Sequence, residues 1–216
     1  MTGLMMKDFR IMYLRKRSLL LFLAISLLIA FNSEGSAFIL GYLPVMCILM
    51  AVSTISYDET ENGMSFLMAL PVNGRVYAKQ KLLFGLICLG ITWVVSTLVY
   101  VGCAVAAGEP LELAGRLGVS AAVIPVLVIY FAGKLPLHIK LGPEKSRMVT
   151  MSVAAVFVTI CLFLGQTGSG SKLFYGIVDF IDSYGQYMLA ILSVLAIISI
   201  FVSYAVTVAI MESKEY

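Results

Sequence analysis

The sequence predicts an all-α polytopic membrane protein. It would have six transmembrane helices, an N-terminal interfacial helix, a short cytoplasmic helix between spans 2 and 3, and a short outer amphipathic helix before span 6. Three observations carry this expectation. Of 216 residues, 61% are hydrophobic and 12% charged, against about 45–50% and about 25% in soluble domains. Mean hydropathy is +1.00. The charges are bunched, leaving long apolar runs between them. A charge at the bilayer centre costs at least ~2.5–3.5 kcal/mol, so spanning segments exclude it. A span needs about 20 residues, so the chain forms a single transmembrane domain over 1–216, with no room for a soluble catalytic domain.

Charge-free runs fall at Ser18–Ser33, Gly35–Tyr57, Leu82–Gly108, Leu117–Gly133, Met148–Ser171 and Ser183–Met211. They predict spans near 18–33, 36–56, 82–107, 117–134, 148–165 and 187–211. The fifth is trimmed because Gln166–Ser171 is polar and glycine-rich. Of the 15 Lys and Arg, all but Arg116 and Lys172 fall on one side of this plan. By the positive-inside rule that side is cytoplasmic, and six spans put both termini there. A basic start before an apolar run is also the pattern of a signal peptide. The long leader and the absence of a small-x-small site near Ala30–Ser33 favour a retained span.

Before span 1, Met5, Phe9 and Met12 recur at helical spacing, joined by Tyr13, while Lys7, Arg10 and Arg17 take another face. This predicts an interfacial helix with its basic side toward anionic lipid headgroups. Pro44 in span 2 and Pro125 in span 4 are sites for a kink or hinge. The loop after span 2 is too apolar to be a plain connector. Asp58, Glu59 and Glu61 suit the start of a short helix through its dipole. Met64, Phe66, Leu67 and Leu70 then supply an apolar face, and Pro71 closes it. Such a face needs a cover, either headgroups or a partner protein. Its acids argue against an anionic membrane surface alone.

The stretch 134–147 is basic and broken by Pro136, Gly142 and Pro143, and predicts a cytoplasmic connector. Before span 6, Leu173, Ile177, Phe180, Ile181 and Tyr184 recur at spacings of 3 and 4, with Asp179 and Asp182 on another face. That predicts an outer amphipathic helix. Hydroxyls within the spans (Ser26, Ser53, Thr92, Ser96 and Thr159 among them) are expected to bond between helices. Cys47, Cys88, Cys103 and Cys161 lie in spans without a C-x-x-C pair, and predict apolar packing rather than a metal site.

Chemistry is sparse. Gly165–Lys172 superficially resembles a phosphate loop, but Ser171 intrudes before Lys172 and Leu173 stands where Ser or Thr is required. His138 is the only histidine and lacks companions for a metal site or triad. No H-E-x-x-H or G-x-S-x-G motif occurs. The charge-free runs place no Asp, Glu, His or Lys within the bilayer to couple ion flow, so any cavity between the spans suits an apolar or amphipathic cargo. Nothing points to nucleic acid.

At the cytoplasmic loops the sequence resembles small permeases of the ABC-2 transporter family. The matching residues are Tyr57-Asp58-Glu59, Asn62-Gly63, Leu70-Pro71-Val72, Arg75 and Lys79, then Pro136-Leu137, Gly142 and Glu144-Lys145-Ser146-Arg147. The opening Lys7-Asp8-Phe9 is similar too. The likeness is strongest to permeases exporting amphipathic peptides of the phenol-soluble modulin type. The resemblance implies a bacterial plasma-membrane exporter subunit with no ATPase site of its own. It implies a second permease chain, identical or related, and a cytoplasmic ATP-binding subunit carrying ATP and Mg, so that this chain binds no cofactor. It also implies that Asp58–Leu70 is the helix coupling to that ATPase. The contacts would be Asp58, Glu59, Glu61, Met64, Phe66, Leu67, Leu70 and Pro71. The residues Met5, Phe9, Arg10, Met12 and Tyr13 would mark the family's interfacial helix. A stand-alone channel or carrier, and a membrane scaffold or sensor with a cytoplasmic partner, are the competing expectations.

Overall fold

A computed structural model describes residues 2–30, 37–59, 73–106, 108, 113–166 and 168–213. Among the described residues six α-helices follow in order: α1 (Thr2–Leu14), α2 (Lys16–Ala30), α3 (Ile39–Glu59), α4 (Gly74–Ala106), α5 (Leu113–Gln166) and α6 (Gly168–Ser213). Among the described residues there is no strand. The backbone of such apolar segments can be satisfied only within its own helix, which is why helix prevails.

Four stretches are long and apolar enough to cross a membrane: Ile39–Asp58, Gly74–Ala106, Leu113–Val156 and Tyr187–Ser213. α2, described over 15 residues, is shorter. α1 and α2 meet at Arg15, the one non-helical residue between them.

α3 is the central helix. Ile48, Val52 and Ile55 are almost wholly covered, and they pack with Tyr77 and Leu89 of α4 and with Leu127, Phe131, Leu135 and Ile139 of α5. α5 packs most extensively on α6, and α3 on α4. Gly85 sets the closeness of α4 to α5: a Cβ there would lie 2.1 Å from Cζ of Phe131. The indole Nε1 of Trp93 on α4 donates to the carbonyl of Ser120 on α5 at 3.0 Å. Farther along, the Arg116 guanidinium sits 5.3 Å from the centre of the Tyr100 ring.

The predicted connector at 134–147 is instead helix. α5 runs from Leu113 to Gln166 and departs from helical geometry inside only at Gly142 (φ 77°, ψ 173°). Glycine tolerates that backbone, and the following Pro143 disfavours helix at the residue before it. Pro125 and Pro136 sit within the first arm, and Pro44 within α3, at helical positions. The break in helical geometry therefore falls at Gly142 rather than at Pro44 or Pro125. The outer amphipathic segment is likewise not set apart: α6 is continuous from Gly168 to Ser213. The side chains of its predicted stripe, Leu173 to Tyr184, lie outside those described.

Thr54 bonds between helices as expected, accepting from Lys81 on α4, but several other span hydroxyls do not. Ser26, Ser53, Ser96 and Thr92 donate to carbonyls three or four residues back in their own helices, at 2.7–2.8 Å. In apolar surroundings the preceding turn is the nearest acceptor. Cys47 and Cys88 are free and buried, and pack with Ala51 and Phe84. Cys161 lies outside the described side chains.

Large apolar side chains are uncovered on the second arm of α5 and on α6. Met151, Phe163, Ile191 and Phe201 are each more than half exposed. Surfaces this apolar need lipid or protein over them.

Candidate functional site

Charged residues from α1, α3 and α4 converge at the end of α3. Lys81 Nζ donates to Asp8 Oδ2 at 2.7 Å and to Thr54 Oγ1 at 3.0 Å, and lies 2.9 Å from Asp58 Oδ2. Those partners occupy all three ammonium protons. Lys7 pairs with Asp58 through its other oxygen. Tyr77 Oη donates to Asp58 at 2.9 Å, and Gln80 Nε2 donates to Asp8 at 2.8 Å. Asp8, Lys81 and Asp58 are only 1%, 2% and 4% exposed. Two carboxylates face two ammonium groups, so the cluster is neutral, the condition under which buried charge is tolerated.

Local sequence explains the convergence. Tyr77 and Lys81 stand four apart on α4 and Thr54 and Asp58 four apart on α3, so each pair shares a helix face. α1 turns Asp8 inward, with Leu4, Met5 and Met12 half-buried beside it. The face of α1 that packs on α4 is thus centred on Asp8. Phe9 keeps one edge contact, its ring 5.0 Å from that of Phe84, while Arg10 and Tyr13 are exposed. Lys7 faces the ion cluster, not the headgroups as expected, because the Asp58 carboxylate is there to receive it.

Of the residues assigned to partner contact, Asp58 is held inside the chain, and Glu59 ends α3. Glu61, Met64, Phe66, Leu67, Leu70 and Pro71 lie outside the described residues. The two ends of that segment are nonetheless defined. One is Asp58 in the cluster. At the other, the Asn73 carbonyl accepts from Val76 and Tyr77 amides at 2.9 and 3.2 Å, opening α4. Arg75 then pairs with Glu212 near the end of α6 at 2.8 Å, and a Cβ on Gly74 would lie 3.1 Å from Met211 Cβ. The described residues flanking 60–72 are thereby joined to α1, α4 and α6 by named contacts.

Sequence reasoning missed Asp8, Tyr77, Gln80 and Lys81. One signal existed: Asp8 is the sole acid in an otherwise basic leader, and an acid placed against a positive-inside segment calls for an internal partner.

A second feature lies between α3 and the two arms of α5. A cavity of about 460 Å³ is walled by Leu49, Ser56, Lys134, His138, Arg147 and Thr150, among others. His138 Nε2 and Ser56 Oγ share a hydrogen bond of 3.0 Å. The uncharged lining expected from the spans is corrected here. Because α5 stays helical past Gly133, Lys134 and His138 are carried into the helix packing and buried. Among the described residues no group of His, Cys, Asp or Glu is placed to hold a metal ion.

No curated protein and no solved structure matches the chain. A family model described as ABC-2 family transporter protein matches residues 3–212. That match spans nearly the whole chain and agrees with the four helices, among the described residues, that are long and apolar enough to cross a membrane. The chain belongs to the ABC-2 transporter family of membrane proteins.

Proposed function

We propose that this chain is the permease subunit of an ATP-driven exporter, that it works as a dimer, and that a separate cytoplasmic ATPase powers it by docking on residues 59–71, Asp58 serving as the buried anchor of that segment. The observation that carries this is the anchoring of both ends of that segment, Asp58 by the ion cluster and Asn73–Arg75 against α6. A force applied between two fixed ends moves helices rather than a slack loop. The six-span plan takes α2, α3, α4, the two arms of α5, and α6. Residues 113–141 and 143–166 would each extend about 35–45 Å at ~1.5 Å per residue, enough for a core of about 30 Å. The second arm of α5 and α6 offer the apolar surface that a second permease chain would cover. Both termini then lie in the cytoplasm. Amphipathic or hydrophobic peptides are the proposed cargo, because most of the membrane-length surface is uncharged.

The test replaces Phe66 and Leu67 with Asp and measures ATP hydrolysis by the co-purified ATPase subunit. Membrane insertion should be unchanged, and stimulation of hydrolysis by the permease should be lost. Stimulation at the wild-type level would overturn the coupling assignment.

A further inference from the structure

The ion cluster at Asp8 and Asp58 balances its charges internally. The cavity between α3 and α5 does not. Lys134 is 7% exposed. Its bonded partner is the neutral hydroxyl of Thr150, and no carboxylate lies within ion-pair distance of it among the described residues. A buried ammonium without an anion is costly. Arg147 and Arg15 line the same cavity. Glu144 is the one acid in the lining, and it leaves the lining net positive.

We infer that this cavity binds the phosphate headgroup of an anionic inner-leaflet phospholipid. Three features favour a lipid over a soluble anion. The cavity has an apolar wall, formed by Leu49, Val52 and Met151. Its lining residue Met151 is uncovered on the second arm of α5, where an acyl chain would lie. Its volume of about 460 Å³ suits a small-molecule headgroup. Basic pockets between helices at the cytoplasmic side of a membrane take such headgroups. The headgroup would do more than neutralise Lys134. Lys134 and His138 precede Gly142, whereas Arg147 and Thr150 follow it, so one phosphate would tie together both arms across the hinge. Arg15 already stacks on Tyr57, its guanidinium carbon 4.9 Å from the ring centre, and would close the cavity from the α1–α2 junction. The inference rests on placement in a bilayer and on the cytoplasmic side assigned by charge, not on docking of an ATPase.

The test uses the full-length chain in detergent, titrated with mixed micelles of phosphatidylglycerol or phosphatidylcholine and followed by native mass spectrometry. Phosphatidylglycerol should bind about tenfold more tightly, and Lys134→Gln and Arg147→Gln should each remove about that factor, the effect of losing one charge-assisted bond. Arg147 is exposed, so its variant keeps the fold if Lys134→Gln does not. Equal binding of the two lipids, or unchanged preference in a folded Arg147→Gln variant, overturns the inference. Displacement by millimolar glycerol phosphate or inorganic phosphate overturns the lipid source. Displacement by an acidic amphipathic peptide would assign the cavity to cargo instead. The Phe66 and Leu67 variant should keep the preference, which separates failure here from failure of the coupling reading.

Discussion

Lys81 is the residue whose loss tests the ion cluster most directly. Lys81→Met keeps the length of the apolar stem and removes only the charge and its three donors. Asp8 and Asp58, both buried, are then left with Lys7 alone. Lys7 is one-third exposed and lies 3.9 Å from Asp8, too far for a hydrogen bond. Asp8 would lose its 2.7 Å ammonium partner and retain only the amide of Gln80. Removing one member of a buried ion pair costs about 3–5 kcal/mol, because the other is left buried and uncompensated. We expect that loss in the unfolding free energy measured by denaturant titration in bicelles. Adding Asp8→Asn restores neutrality around Asp58 and Lys7. The double variant should therefore be more stable than the summed single losses predict, by at least about 1.5 kcal/mol. A loss under about 1 kcal/mol for Lys81→Met, or strict additivity in the double variant, would refute the reasoning.

Two further outcomes follow from backbone geometry. Gly85→Ala puts a Cβ against the buried Phe131 ring and should cost about 1–3 kcal/mol by overpacking; Phe131→Leu in the same background should recover part of it, read as a thermal midpoint. Gly142→Ala forces a side chain onto a φ of 77° with ψ of 173°, a region open essentially to glycine alone. It should cost about 1–3 kcal/mol, and distances between spin labels on the two arms of α5 should shift. Unchanged stability together with unchanged distances would show that the hinge does not need glycine.

Much of the architecture could be read from the spacing of charges. The apolar runs mark α3, α4 and most of α5 and α6, because ionised groups are excluded from lipid whatever the tertiary fold. The connector at 134–147 was misread because proline, glycine and lysine together resemble a loop. In the structure Pro136 is absorbed into the first arm, and only the Gly142–Pro143 step breaks the helix. The ion cluster was illegible for another reason. Asp8 and Asp58 are 50 positions apart and Asp58 and Lys81 are 23 apart, and no local pattern reports a pairing made by packing. Nor does the apolar spacing on α1 report that Asp8 turns inward, because only the Lys81 ammonium on α4 draws an acid there. The direction of the span hydroxyls was hidden because composition shows that an acceptor is needed, not which one is nearest.

The enclosure of α3 limits how any stroke can proceed. A lengthwise piston slip of that helix by one turn, about 5.4 Å, would pull Asp58 off Tyr77 and Lys81 and draw Ile48 and Val52 away from their neighbours together. Travel of that kind tears the protein's own keystone. Any displacement that spares the cluster would have to carry α1, α3 and α4 together, because Asp8, Asp58 and Lys81 join them.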